Sequence, residues 1–158
     1  MPHDMTVKTD EGVINVRVGA IIIKDEKVLM VKSRENWYYS VGGRIQFGET
    51  AETAIVREVF EETGVNMPID RLGFVNEAYF YDTLGGKKEL LIYELCFYFY
   101  MKAPENFEPI KCDFEELGTG EHLEWVPLDT DKEIYPIFFK TELKKPSNEV
   151  KYIVQDER

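Results

Sequence analysis

The stretch "INVRVGAIIIKDEKVLMVKS", residues 14 to 33, constrains the chain most. It reads as two strands, Ile14 to Ile23 and Lys27 to Lys32, turning at Asp25-Glu26. The first is β-branched and apolar almost without interruption, the pattern of a strand covered on both faces. Such a strand needs layers above and below it. Further strand candidates follow in "LGFVNEAYFY" and "ELLIYELCFYFYM", separated by a turn signal at Gly85-Gly86, and in "HLEWVPLD" and "NEVKYIVQ". Helical patterning covers Ala51 to Thr63, with Thr50 as N-cap and Gly64 closing the helix, and "KEIYPIFFKTELKK" is read as a second helix with Pro136 in its first turns. "YYSVGGRIQFGET" is read as a loop, as are residues 103 to 120. Strands mixed with two helices imply an α/β fold built on a mixed sheet.

At 158 residues the chain suits one domain, with no repeats and no low-complexity tract. The formal net charge of −11 argues against nucleic-acid or membrane-surface binding, while a bound divalent cation would still admit small phosphate-bearing substrates. Cys96 and Cys112 lack metal or redox spacing, and Cys96 reads as a small buried hydrophobe. With no apolar segment of membrane-spanning length, a cytoplasmic protein is expected.

The segment "VREVFEETGV" places Glu58, Glu61 and Glu62 on one helical face, because i, i+3 and i+4 share an arc of roughly 100°. Ile55, Val56 and Val59 occupy another arc, available to the core. A solvated acidic face is the simplest account of such a stripe. Against it stand the absence of interleaved Lys, the glycine-bearing loop that feeds the helix, and Glu49 at the helix entrance. Oxygen ligands without Cys or His suit a hard cation such as Mg²⁺ and do not imply zinc.

"GRIQFGETAETAIVREVFEETGV", Gly43 to Val65, resembles the signature of the Nudix hydrolases. Gly43, Glu49, Arg57, Glu58, Val59, Glu61, Glu62, Gly64 and Val65 all fall at the family's spacing. One departure is visible: Val41 stands where family members commonly have Pro before the Gly pair, which predicts an altered loop with its chemistry kept. Residues near 12 to 143 follow the family's strand–loop–helix–hairpin order.

The resemblance implies a Nudix fold, a mixed sheet sandwiched between helices, within a single domain spanning 1–158. It implies MutT-like, metal-dependent hydrolysis of a nucleoside diphosphate derivative: a nucleotide, a dinucleoside polyphosphate or a nucleotide sugar. Water would attack phosphorus, and Mg²⁺ or Mn²⁺ would be the cofactor. Carried over by position, Glu58, Glu61 and Glu62 bind the metal, the Gly42 carbonyl is a backbone ligand, and Glu49 completes or orients the shell. Arg57 holds a carboxylate of the cluster. The proton acceptor is left open among Glu58, Glu115, Glu116 and Glu121, with Glu121 the preferred loop residue. His122 is read as a surface or packing residue.

For the substrate, Lys32, Arg34 and Arg44 are placed to meet phosphates, and Trp37, Tyr38, Tyr39, Tyr79 or Tyr81 to stack a base, with Trp37 favoured as packing. Tyr81 lies at a spacing resembling the tyrosine of diadenosine polyphosphate hydrolases. A small-molecule nucleotide is the expected partner, and a homodimer is left open. The alternatives are a Nudix-like nucleotide-sensing module without catalysis and, more weakly, a calcium-binding module, which lacks an oxygen-rich loop of the needed length.

Overall fold

The computed structural model describes residues 2–82, 90–109 and 120–158. Its strands are β1 (Thr6–Lys8), β2 (Val13–Ile21), β3 (Ile23–Lys24), β4 (Lys27–Lys32), β5 (Tyr38–Arg44), β6 (Ile69–Asp82), β7 (Leu90–Met101), β8 (His122–Pro127), β9 (Ile134–Tyr135) and β10 (Lys151–Asp156). Two helices accompany them, α1 (Ala51–Thr63) and α2 (Phe139–Glu142). Among the described residues the strands join one mixed sheet in the order β10-β6-β7-β2-β5-β4-β3, with β1 on β2, β8 on β4 and β9 on β5. The β2–β7, β6–β10 and β5–β9 pairs are parallel; the others are antiparallel.

The two-faced reading of the first strand holds over its second half, where Val18, Ala20 and Ile22 join one core while Ile21 joins the other. Along β4, Leu29 and Val31 likewise join one core and Val28 and Met30 the other, the period-two alternation of a pleated strand. The first core packs against Ala54, Ile55 and Val59 of α1. The second packs against Phe138, Phe139 and Leu143 around α2. The sheet is therefore covered on both sides, as an α/β layered fold requires. The Asp25-Glu26 turn is also as expected, both residues having positive φ, 52° and 60°, with Lys24 opposite Lys27.

Three expectations change. The segment read as a loop from Tyr38 onward begins as a strand: β5 runs through the Gly pair to Arg44, with Gly42 opposite Gly19 and Gly43 opposite Val18. Glycine here permits close approach of backbone and does not end the strand. The second helix shrinks to the four residues of α2. Pro136 disfavours helical backbone at the residue before it, and Ile134 and Tyr135 instead pair with Tyr38 and Tyr39. A short strand at Thr6–Lys8 pairs with β2, where the sequence had suggested no element. The Gly85-Gly86 turn, Cys112, Glu115 and Glu116 lie outside the described residues. Among the described residues no helix is long and apolar enough to cross a membrane.

Candidate active site

Helix α1 is delimited as its sequence suggests. The Thr50 hydroxyl accepts the Thr53 N–H at 3.2 Å, and Gly64 takes the left-handed conformation (φ 78°) while its N–H donates to the Phe60 carbonyl at 2.8 Å. Ile55 and Val59 are fully buried against the sheet, and Val56 is half-buried. This seating fixes how the acidic residues stand relative to β5.

Arg57 is the knot of the site. Its Nε donates to Glu49 Oε1 at 2.5 Å and its Nη2 to Glu49 Oε2 at 3.0 Å, a two-point pairing. Nη1 donates to Glu58 Oε1 at 2.9 Å and to Glu61 Oε2 at 3.3 Å, and Nη2 reaches the Arg44 carbonyl at 3.1 Å. Glu49 also accepts the Gln46 N–H at 2.9 Å. The hydrogen bonds from Arg57 hold the Glu49 carboxyl below its ordinary range and make Arg57 keep its own proton more firmly. One guanidinium thus fastens the β5–α1 connection to the helix and gathers three carboxylates.

The acidic stripe is not uniform. The Glu61 side chain is 54% exposed, whereas Glu58 is 14% exposed and lies against Gly43. A Cβ on Gly43 would stand 2.3 Å from Glu58 Oε1, so the glycine makes the cradle in which this carboxylate rests. Glu62 turns under the strand and accepts the Gly42 N–H at 3.2 Å. Burial raises the Glu58 carboxyl, partly offset by Arg57. Burial and the neighbouring Glu58 charge push Glu62 up to about 8. Two desolvated carboxylates with too little positive charge around them fit a hard cation, and every donor is oxygen. Among the described residues no three acidic, His or Cys side chains stand gathered as a ready-made ligand set.

A cavity of about 550 Å³ opens on the sheet nearby, bordered by Arg17, Glu94, Trp37, Tyr39, Tyr81 and Tyr135. Tyr39 and Trp37 have ring centroids 5.6 Å apart, and Tyr135 meets Trp37 edge-on at 5.5 Å. Trp37 thus packs in an aromatic cluster and also borders the cavity. Glu121 receives the Tyr39 hydroxyl, which brings this residue to the cavity's rim strand. Tyr81 is 46% exposed and Tyr79 stacks obliquely on Tyr93, 5.0 Å between centroids. Tyr38 is buried, with its hydroxyl on Glu124, and is a core residue rather than a stacking platform. Arg44 is 3.8 Å from Asp4, and Arg34 runs beside Gly120. His122 approaches Glu124 at 3.6 Å.

Sequence reasoning passed over Arg17 and Glu94. The signal was present: each is a charge set in the middle of an otherwise apolar strand. They pair at 3.3 Å, and the Arg17 charge favours the ionised forms of Glu58, Glu62 and Glu94. Arg17 therefore belongs both to the cavity and to the surroundings of the acidic helix.

Helix α1 thus presents carboxylates beneath the glycine strand β5 of a mixed sheet. The sequence model of the NUDIX domain matches residues 13–140, and the chain belongs to that family. It is 44% identical over 54 residues to an ADP-ribose pyrophosphatase of Methanocaldococcus jannaschii, covering 32% of this chain and 32% of the relative. It is 34% identical over 55 residues to a MutT-like protein of Streptomyces ambofaciens, covering 34% and 36%. The matched segments thus span about a third of the length of these relatives. A mutator MutT protein from Bacillus halodurans shares the fold over 89% of this chain and 90% of its own, with a TM-score of 0.61 at 20% identity.

Proposed function

We propose that the protein hydrolyses a diphosphate linkage in a nucleoside diphosphate derivative, by water attack on phosphorus, with a divalent cation of the Mg²⁺ or Mn²⁺ type. The observation that carries this reading is the pair of buried carboxylates, Glu58 and Glu62, seated against the Gly42-Gly43 strand and flanked by Arg57. Glu58, Glu61 and Glu62 would hold the metal, with the Gly42 carbonyl beside them. Once bound, the ion would neutralise the phosphate charge and acidify a water.

The chain's own residues supply the rest. Arg57 balances part of the charge of the cluster and keeps Glu58 and Glu61 aimed at one place. Both Glu49 oxygens are taken by Arg57 and one also by Gln46, so Glu49 serves as an orienting residue. Glu58 is the favoured proton acceptor, since burial has already raised its affinity for a proton. Glu121 would act from the cavity side, on the Tyr39 hydroxyl. The cavity would receive the nucleoside or the group attached to the diphosphate, against Trp37, Tyr39 and Tyr81. The ADP-ribose pyrophosphatase and MutT-like relatives are consistent with that substrate class. With a formal net charge of −11 the partner is a small nucleotide and not a nucleic acid, and the expected setting is the cytoplasm.

A mixed nucleotide panel with and without Mg²⁺, run in ¹⁸O-water, tests the reading. Metal-dependent turnover with label on phosphorus is expected. Label on a sugar carbon, or near-wild-type turnover by both Glu61→Gln and Glu62→Gln at saturating Mg²⁺, overturns it. Nucleotide binding without turnover would identify a sensing module instead.

A further inference from the structure

Arg17 lies outside the signature, on β2, between the glycine strand β5 and the strand β7 that carries Glu94. Its guanidinium is fixed at one corner only: Nε stands 3.3 Å from Glu94 Oε1, with the two side chains 30% and 23% exposed. The terminal nitrogens Nη1 and Nη2 have no hydrogen-bond partner among the described residues. Arg57 is the contrast, since its Nε, Nη1 and Nη2 are all engaged by protein oxygens. An arginine serving only to neutralise Glu94 would gain most from a two-point fork, which this pair does not form. Instead the open end of the fork lies at a cavity of about 550 Å³ that Arg17 and Glu94 both line.

Its position relative to the acidic helix matters equally. The Arg17 charge reaches Glu58 and Glu62, and the same residue lines the cavity. A diphosphate running from the metal to a group housed in the cavity would come within the field of this charge. Cations repel one another, so the metal itself gains nothing from Arg17. A phosphate oxygen shared between them gains from both.

We propose that Arg17 is a phosphate-binding residue, its two open nitrogens taking non-bridging oxygens of the substrate diphosphate, with Glu94 as the residue that positions the fork. This rests on the reading of the site as one for nucleoside diphosphate derivatives. Gln at position 17 keeps length and some hydrogen bonding but removes the charge. Because the half-buried Glu94 would then be left without its paired cation, the paired variant Arg17→Gln with Glu94→Gln restores balance and protects the fold.

The test is calorimetric binding of α,β-methylene-ADP with Mg²⁺, together with Mg²⁺ binding in the absence of nucleotide. Both variants should raise the nucleotide Kd by roughly 10- to 100-fold, the scale of losing hydrogen bonds to a charged group. Arg17→Gln alone should tighten Mg²⁺ binding by removing a repelling neighbour, whereas the paired variant should leave it unchanged. A merely structural ion pair would move neither quantity in this pattern. A nucleotide Kd in the paired variant within about twofold of wild type, or wild-type protein that binds no probe, overturns the assignment. Wild-type protein that binds the probe and responds to the variants, yet turns over nothing in the panel, leaves the Arg17 site standing and sinks hydrolysis alone.

Discussion

Arg57 clasps Glu49 through two nitrogens, at 2.5 and 3.0 Å, and the same guanidinium reaches Glu58 at 2.9 Å. The connection from β5 into α1 and the acidic face of α1 are therefore held by one side chain. Lys in its place would be a compact point charge without the planar fork, able to satisfy one of these partners at a time. Arg57→Lys should fold and should lower kcat/KM by roughly 10- to 100-fold, the cost of losing a group that orients ligands. Steady-state kinetics beside a melting curve would check this, and unaltered kinetics would remove Arg57 from the site.

The adjacent glycines should respond differently to alanine. At Gly43 the three atoms nearest the added Cβ all belong to the Glu58 carboxylate, the mobile end of a long side chain, which can swing aside. Gly43→Ala should thus keep most of its stability while activity falls on the order of 100-fold, as for a catalytic group displaced by about an ångström. At Gly42 the Cβ would stand 2.1 Å from the Val18 carbonyl, on backbone that cannot move alone, and φ there is 153°. Gly42→Ala should cost about 1–3 kcal/mol of stability. Denaturant unfolding of the two variants side by side gives the comparison.

Metal-free protein should lose stability as pH rises. The Glu62 carboxyl is pushed from the usual 4.5 up to about 8 by burial and by Glu58, so the folded state binds its proton more tightly than the unfolded chain. That contribution is complete below about 4.5 and is lost progressively as pH approaches about 8. Melting temperatures in EDTA across this window should fall more steeply for wild type than for Glu62→Gln. Added Mg²⁺ should stabilise wild type more above this range than below it, because metal must displace the proton. Parallel pH profiles for the two proteins would refute the assignment of Glu62.

Tyr81 is half exposed at the cavity and suited to stacking a second base. Tyr81→Ala should lower kcat/KM for a dinucleoside polyphosphate more than for a nucleoside triphosphate, by about 1 kcal/mol. Equal losses on both substrates, or preferred hydrolysis of ADP-ribose by the wild type, would return Tyr81 to a packing role on β6.

How much of this was legible in the sequence follows from what each signal measures. The helix caps, the Asp25-Glu26 turn and the two-faced first strand were readable because each is set by local backbone chemistry or by a nearly continuous apolar run. The signature residues were readable by spacing. The inequality among Glu58, Glu61 and Glu62 was not, since a helical wheel puts them on one face and only the placement of β5 buries two and leaves one in solvent. Arg17 and Glu94 were hidden for a related reason. They are far apart in sequence and meet only because β2 and β7 pair in parallel. Pro136 was in view, yet the helical pattern around it was overruled by the pairing of Ile134 and Tyr135 with β5.

Arg17, the Gly pair and Glu94 stand on three consecutive strands, β5, β2 and β7, joined edge to edge by backbone hydrogen bonds. Neighbouring strands lie ~4.8 Å apart whatever the loops do. The distance from the glycine cradle across to the Arg17 fork is thereby ruled by the lattice of the sheet, as marks on a gauge are. Loops can set what enters, but the span offered to a phosphate chain is inherited from the strands, and only unfolding of the sheet would alter it.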